Sequence, residues 1–142
     1  MMTKLLLASI VAAAVAVFIA GCGGSGPDPL SKSAFIKQGD QICVHATKDR
    51  EAAVTELTKE NPEVGPEELV NDAALPPIKD MAGELDGLGV PKGDEKQVEA
   101  IVTGLEAGIE KVEANPREAL GSEAFEAANK AATAYGLTEC TI

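Results

Sequence analysis

The sequence predicts an all-α protein: a small antiparallel helical bundle of about four helices behind an N-terminal signal peptide. Three observations carry that expectation. Ala, Val, Leu, Gly and Glu dominate, and β-branched runs are few outside the first twenty residues, which favours helix over sheet. Beyond residue 30, apolar residues recur at helical spacing in four segments. Pro and Gly clusters break the chain between those segments and leave short connections, as an up-down bundle requires. The chain has 142 residues, room for one such domain.

The first 21 residues stand apart. Lys4 gives a short positive start, and residues 5–20 (LLLASIVAAAVAVFIA) form an uncharged run of sixteen. A spanning helix needs about 20 apolar residues, so the run is short for a span. Ala20, Gly21 and Cys22 close it with small residues. This pattern is that of a secretory signal and its cleavage zone. Residues 22–30 contain GGSGPDP and read as a flexible-to-stiff tether. Residues 31–142 carry the fold.

The first helix is expected from Ser31 to about Glu60. Ser31 suits the N-cap, with Leu30 and Phe35 as a hydrophobic staple. Phe35, Gly39, Ile42, Ala46, Ala53 and Leu57 fall on one stripe, and Asn61-Pro62 ends it. The second segment runs from Pro66 to Leu88. Pro66 suits the first helical position, with Glu67 and Glu68 at the positive helix start. Pro76-Pro77 falls inside it, where Pro removes hydrogen bonds and clashes with the preceding turn. A kink or two shorter helices are expected there, with Leu69 and Ala73 packed before the break. Ile78, Met81, Leu85 and Leu88 pack after it.

Residues 89–93 (GVPKG) form a turn. The third helix has Asp94 as N-cap and a core face of Val98, Ile101, Val102, Leu105, Ile109 and Val112. Asn115-Pro116 ends it and starts the next unit, with Glu118 at N3. The fourth helix covers roughly Ser122 to Tyr135, with Phe125, Ala128, Ala132 and Tyr135 on one face. Gly136 and Leu137 match a Schellman ending.

Composition excludes several function classes. Lys and Arg total 12 against 23 Asp and Glu, a net charge of −11. Losing residues 1–21 would take Lys4 and leave −12. Such acidity argues against nucleic-acid binding and against flat adsorption on anionic lipid. The aromatics are Phe18, Phe35, Phe125 and Tyr135, with no Trp, too few for a stacking platform. No phosphate loop, nucleophile elbow or CxxC occurs.

His45, the one histidine, has Asp49 four residues on. Two ligands do not make a metal site, and none is expected. His45 lies about 100° from the core stripe, on a flank or in solvent. The close glutamate pairs (Glu95 with Glu99, Glu106 with Glu110, Glu110 with Glu113) read as a solvated face. Gly83 and Gly87 face away from the core. Gly104 and Gly108 lie on its flank, where they let a neighbouring helix approach.

Three cysteines remain to be apportioned. Cys43 lies near the start of the first helix and Cys140 just past the end of the fourth. In an up-down-up-down bundle those points share one end. A bond between them would close a loop of nearly 100 residues, worth roughly 4–5 kcal/mol in the chain-entropy model. The other arrangement pairs Cys22 with one of them.

Ile19-Ala20-Gly21-Cys22 resembles the lipobox of bacterial lipoproteins: an aliphatic residue, two small residues and Cys. That resemblance implies a diacylglycerol on the Cys22 thiol, with fatty acid such as palmitate in the anchor. It implies cleavage between Gly21 and Cys22 and a place on the extracytoplasmic face of the cell membrane. A lipidated Cys22 has no thiol to share, which leaves Cys43 with Cys140 in an oxidising compartment.

Three further stretches, FIKQGDQIC at 35–43, LDGLGVPKGDE at 85–95 and AYGLTEC at 134–140, resemble a group of small secreted or lipid-anchored actinobacterial proteins. In that group Cys43 and Cys140 correspond to the two recurring cysteines. Gly39 stands where a helix former is usual, which weakens the first helix by up to about 1 kcal/mol. The resemblance implies no catalytic residue and no cofactor. The functional expectation is a non-enzymatic interaction or binding module at the cell envelope, with an envelope protein as partner. The alternative is a small-ligand or haem carrier, since the chain also resembles mycobacterial haemophore-type domains. His45, Tyr135 and Met81 are then the candidate axial ligands, and the pocket lies near the Pro76-Pro77 kink.

Overall fold

The computed structural model describes residues 26–117 and 122–142. The expected signal segment, Cys22 and Glu118 lie outside them. Among the described residues all regular structure is helical.

α1 spans Lys32–Glu60, 29 residues, about 43 Å long. Ser31 is its N-cap, with extended backbone and a hydroxyl that accepts from the Ala34 N–H at 3.2 Å. Phe35 is buried and Leu30 packs against the core, as a staple requires. The buried stripe is Phe35, Gly39, Cys43 and Ala46. Ile42, Ala53 and Leu57 are only half-buried, because the stripe centres one residue further on, at Cys43. No residue of α1 beyond Ala46 is buried.

α2 is a single turn, Pro66–Glu68, which passes into a π-helical turn, Leu69–Ala74, and then α3, Pro76–Asp86. Together they make one helix bent at Leu75. The physical cause is the proline pair. Neither Pro76 nor Pro77 has an N–H, so the carbonyls of Asp72 and Ala73 receive no α-type bond. The Leu75 N–H instead reaches back five residues to Val70 O at 2.8 Å, the step of a π-turn. That widened turn rotates the apolar face. Val70, Ala73 and Leu75 are buried, and Leu69, expected in the core, is half-exposed. After the bend, Ile78, Met81, Ala82 and Leu85 are buried and Leu88 packs against them.

The turn at 89–93 holds two special glycines. Gly93 has φ +91°, a conformation glycine adopts without penalty. Its N–H donates to Glu95 Oε1 at 3.0 Å, and that bond holds the Glu95 carboxyl below its ordinary pKa. Gly89 lies against the incoming chain: Leu30 N–H donates to Gly89 O at 2.9 Å. The Asp28 carbonyl occupies the space a Cβ on Gly89 would need. The chain is therefore fastened to the bundle from Asp28 onward.

α4, Glu95–Ala114, buries all six residues of the expected face, and Gly108 besides. Asp94 stands at its N-cap but makes no side-chain cap bond, because its carboxylate accepts from Tyr135 instead. A 3₁₀ turn, Ser122–Phe125, leads into α5, Glu126–Tyr135. Ala128, Ala132 and Tyr135 are buried with Phe125. Gly136 follows at φ +111°. The Gly136 N–H reaches Thr133 O and the Leu137 N–H reaches Ala132 O, the two bonds of a Schellman motif.

The packing is antiparallel throughout. α1 lies along α3 and the π-turn, α3 along α4, and α4 along α5. The α4–α5 contact is close because Gly104 meets the backbone of Ala128 and Gly108 meets the Phe125 ring. Gly83 and Gly87 are exposed. The segment after α5 returns to α1 and closes the bundle. Leu137, fully buried, fills the space above Gly39. Cys140 comes to disulfide-bonding distance of Cys43, Cα–Cα 5.0 Å, across 97 positions of sequence.

Candidate functional site

The antiparallel contact of α1 with α3 leaves a cleft beside the bend. α1 supplies Ile42, His45, Ala46 and Asp49; α3 supplies Pro77, Asp80, Met81 and Glu84. Both sets follow the i, i+3, i+4, i+7 spacing of one helix face. Ala46 and Pro77 face each other's helix across it. The volume is about 290 Å³, at the low end for ligand sites. Ala46 and Met81 form a buried floor. Ile42 and Pro77 are half-buried walls, and His45, Asp49, Asp80 and Glu84 make an exposed rim.

His45 Nδ1 lies 2.9 Å from Asp49 Oδ2, with 74% of the imidazole side chain exposed. The wheel position of His45 on a flank is therefore where the structure has it. Two of the three candidate haem ligands, His45 and Met81, line the same cleft. The third does not. Tyr135 is buried against Phe35 near the start of α1, and its hydroxyl donates to Asp94 Oδ2 at 2.9 Å. Among the described residues no group of three or more His, Cys, Asp or Glu is arranged to hold a metal ion.

Comparison with known proteins finds no matching family model, no matching curated protein and no matching solved structure.

The cleft combines an apolar floor with three rim carboxylates and one imidazole. That arrangement suits a small group with an apolar body and a positive end. It is poorly matched to a ligand bearing carboxylates of its own. Asp80 and Glu84 escaped the sequence reading, which weighed close glutamate pairs on the third helix. The signal was available: Pro77, Asp80, Met81 and Glu84 repeat the spacing of Ile42, His45, Ala46 and Asp49. The α4 glutamates are exposed, and of them Glu113 pairs with Lys79.

A second cluster is structural. Lys32 Nζ lies 4.3 Å from the centroid of the Tyr135 ring and 3.9 Å from Asp94 Oδ2. Phe35 meets the same ring edge-on at 5.7 Å. Burial, reinforced by the hydrogen bond to Asp94 and by its charge, pushes the Tyr135 phenol well above its ordinary pKa. The cluster ties the starts of α1 and α4 to the end of α5. Nearby, Asp40 Oδ1 accepts from the Thr138 N–H at 2.9 Å and the Glu139 N–H at 3.0 Å.

Proposed function

We propose that the protein is a lipid-anchored, extracytoplasmic helical module that binds a partner at the cell envelope and catalyses no reaction. The anchor is the diacylglyceryl group on Cys22, made residue one by removal of residues 1–21. The observation that carries this reading is the apolar run 5–20 ending on Ile19-Ala20-Gly21-Cys22. Two or more acyl chains give stable membrane attachment where one does not. Export also supplies the oxidising conditions in which Cys43 and Cys140 form a disulfide. Replacing Cys22 with Ser tests the anchor. The variant is expected to leave the detergent phase and to lack the mass of the lipid. Retention in the detergent phase at unchanged mass defeats the reading.

A second reading, small-ligand carriage, is favoured by the cleft beside Pro76-Pro77 with Met81 as floor and His45 on its rim. The rim carboxylates and the small volume weigh against haem. A haem titration that leaves the Soret band unshifted disposes of the haem form.

A further inference from the structure

We infer that the bundle end formed by residues 28–32, the turn at 89–93 and the start of α4 is the face held against the bilayer. The inference rests on the lipid anchor at Cys22 and adds to it an orientation. Its basis is the fastening of the chain at Asp28. The Leu30 N–H donates to Gly89 O at 2.9 Å, and the Asp28 carbonyl fills the space of a missing Cβ at Gly89. Only six residues of sequence therefore separate Cys22 from the fastened Asp28. Six residues span at most about 22 Å when fully extended.

The antiparallel packing then decides what lies near and what lies far. Tyr135 bonds Asp94, and Lys32 reaches the same carboxylate, so the start of α1, the start of α4 and the end of α5 share the fastened end. α1 carries the chain away from it over 29 residues, about 43 Å. The connection 61–65 and the α2 turn lie at the opposite end. That end carries Glu60, Glu63, Glu67 and Glu68, all exposed, against one neighbouring cation, Lys59. With residues 1–21 removed the chain carries −12, and an anionic surface repels the acidic end. The fastened end exposes both signs, Lys32, Lys92 and Lys96 beside Asp28, Asp86 and Glu95, and faces the lipid at lower cost. The partner of this face is the headgroup surface of the membrane that holds the anchor.

The test uses the full, lipidated protein in vesicles of phosphatidylcholine and phosphatidylglycerol. A dye is attached through Lys92→Cys or through Glu63→Cys, both exposed and outside the cleft and the Tyr135 cluster. Headgroup-bound quenchers report proximity. Quenching at position 92 is expected to be several-fold stronger than at 63. Inserting ten Gly/Ser residues between Gly26 and Pro27 should reduce the quenching at 92 towards that at 63. Equal quenching at both positions of the unlengthened protein, or stronger quenching at 63, overturns the orientation while leaving the anchor standing. Failure to float with the vesicles overturns the anchor, and the orientation with it.

Discussion

Tyr135 is the single tyrosine of a chain without tryptophan, so its ionisation can be read alone. Its raised pKa has burial as the first cause and Asp94 as the second. The unfolded phenol loses its proton near pH 10, while the folded one keeps it. The stabilisation is thus fully present below about pH 10 and is lost as pH rises towards the folded value. Tyrosinate absorbance should show a midpoint above 10 in the folded protein and near 10 in urea. Tyr135→Phe should cost about 1 kcal/mol at neutral pH and flatten the alkaline decline seen in urea midpoints. Two glycines make a second contrast at this scale. A Cβ on Gly104 would lie 2.9 Å from both Cα and N of Ala128, backbone that moves only with α5. Gly104→Ala should cost about 1–3 kcal/mol by overpacking. Gly83 has nothing within 4 Å of such a Cβ, so Gly83→Ala should be neutral or stabilise by up to about 1 kcal/mol. Urea denaturation of both variants checks the difference.

At the scale of elements, the C-terminal segment depends on one carboxylate. Asp40 accepts the N–H groups of Thr138 and Glu139, and Asn129 clasps Ile142 by its N–H and its carbonyl. Asp40→Ala should cost about 1–2 kcal/mol. It should speed amide exchange at Thr138 and Glu139 while the central amides of α4 keep their protection. How far each element was legible in the sequence follows from what buries it. α4 and the α5 face were readable because unbroken helical spacing meets a neighbour on one side along its whole length. The bend at Pro76-Pro77 was readable, but not the π-turn before it. The extra residue in that turn moves burial from Leu69 to Val70 and Leu75. Asp94 occupies the expected cap position, yet its carboxylate is drawn to Tyr135, 41 positions away. Such long-range partners leave no local trace. The same is true of Asp28 against Gly89 and of Leu137 over Gly39. Of the cleft, the place near the prolines was legible, as were His45 and Met81. The carboxylates of Asp80 and Glu84 were not, because their role depends on which face α3 turns to α1.

For the whole molecule, the pair Cys43 and Cys140 is the link with the widest reach. It joins the first helix to the last segment across 97 positions, enclosing almost every residue that packs. The buried core it supports contains five alanines but only three aromatic rings, Phe35, Phe125 and Tyr135. A domain of this size holds about 5–15 kcal/mol in total. Removing a cross-link that closes such a loop is worth roughly 4–5 kcal/mol in the chain-entropy model, a large fraction of that total. Because the loss arises in the unfolded chain, the denaturant slope should change with it. The double variant Cys43→Ser/Cys140→Ser should unfold at a markedly lower urea midpoint and with a steeper m-value, since its unfolded state is freer and exposes more surface. Both Sγ atoms are buried in the folded bundle. Protein purified and denatured without reductant should present no thiol from either residue to a maleimide probe, because the two sulfurs are paired. Labelling of Cys43 or Cys140 in that sample would show the pair unbonded, and the bundle would then have to be stable without its longest-range constraint.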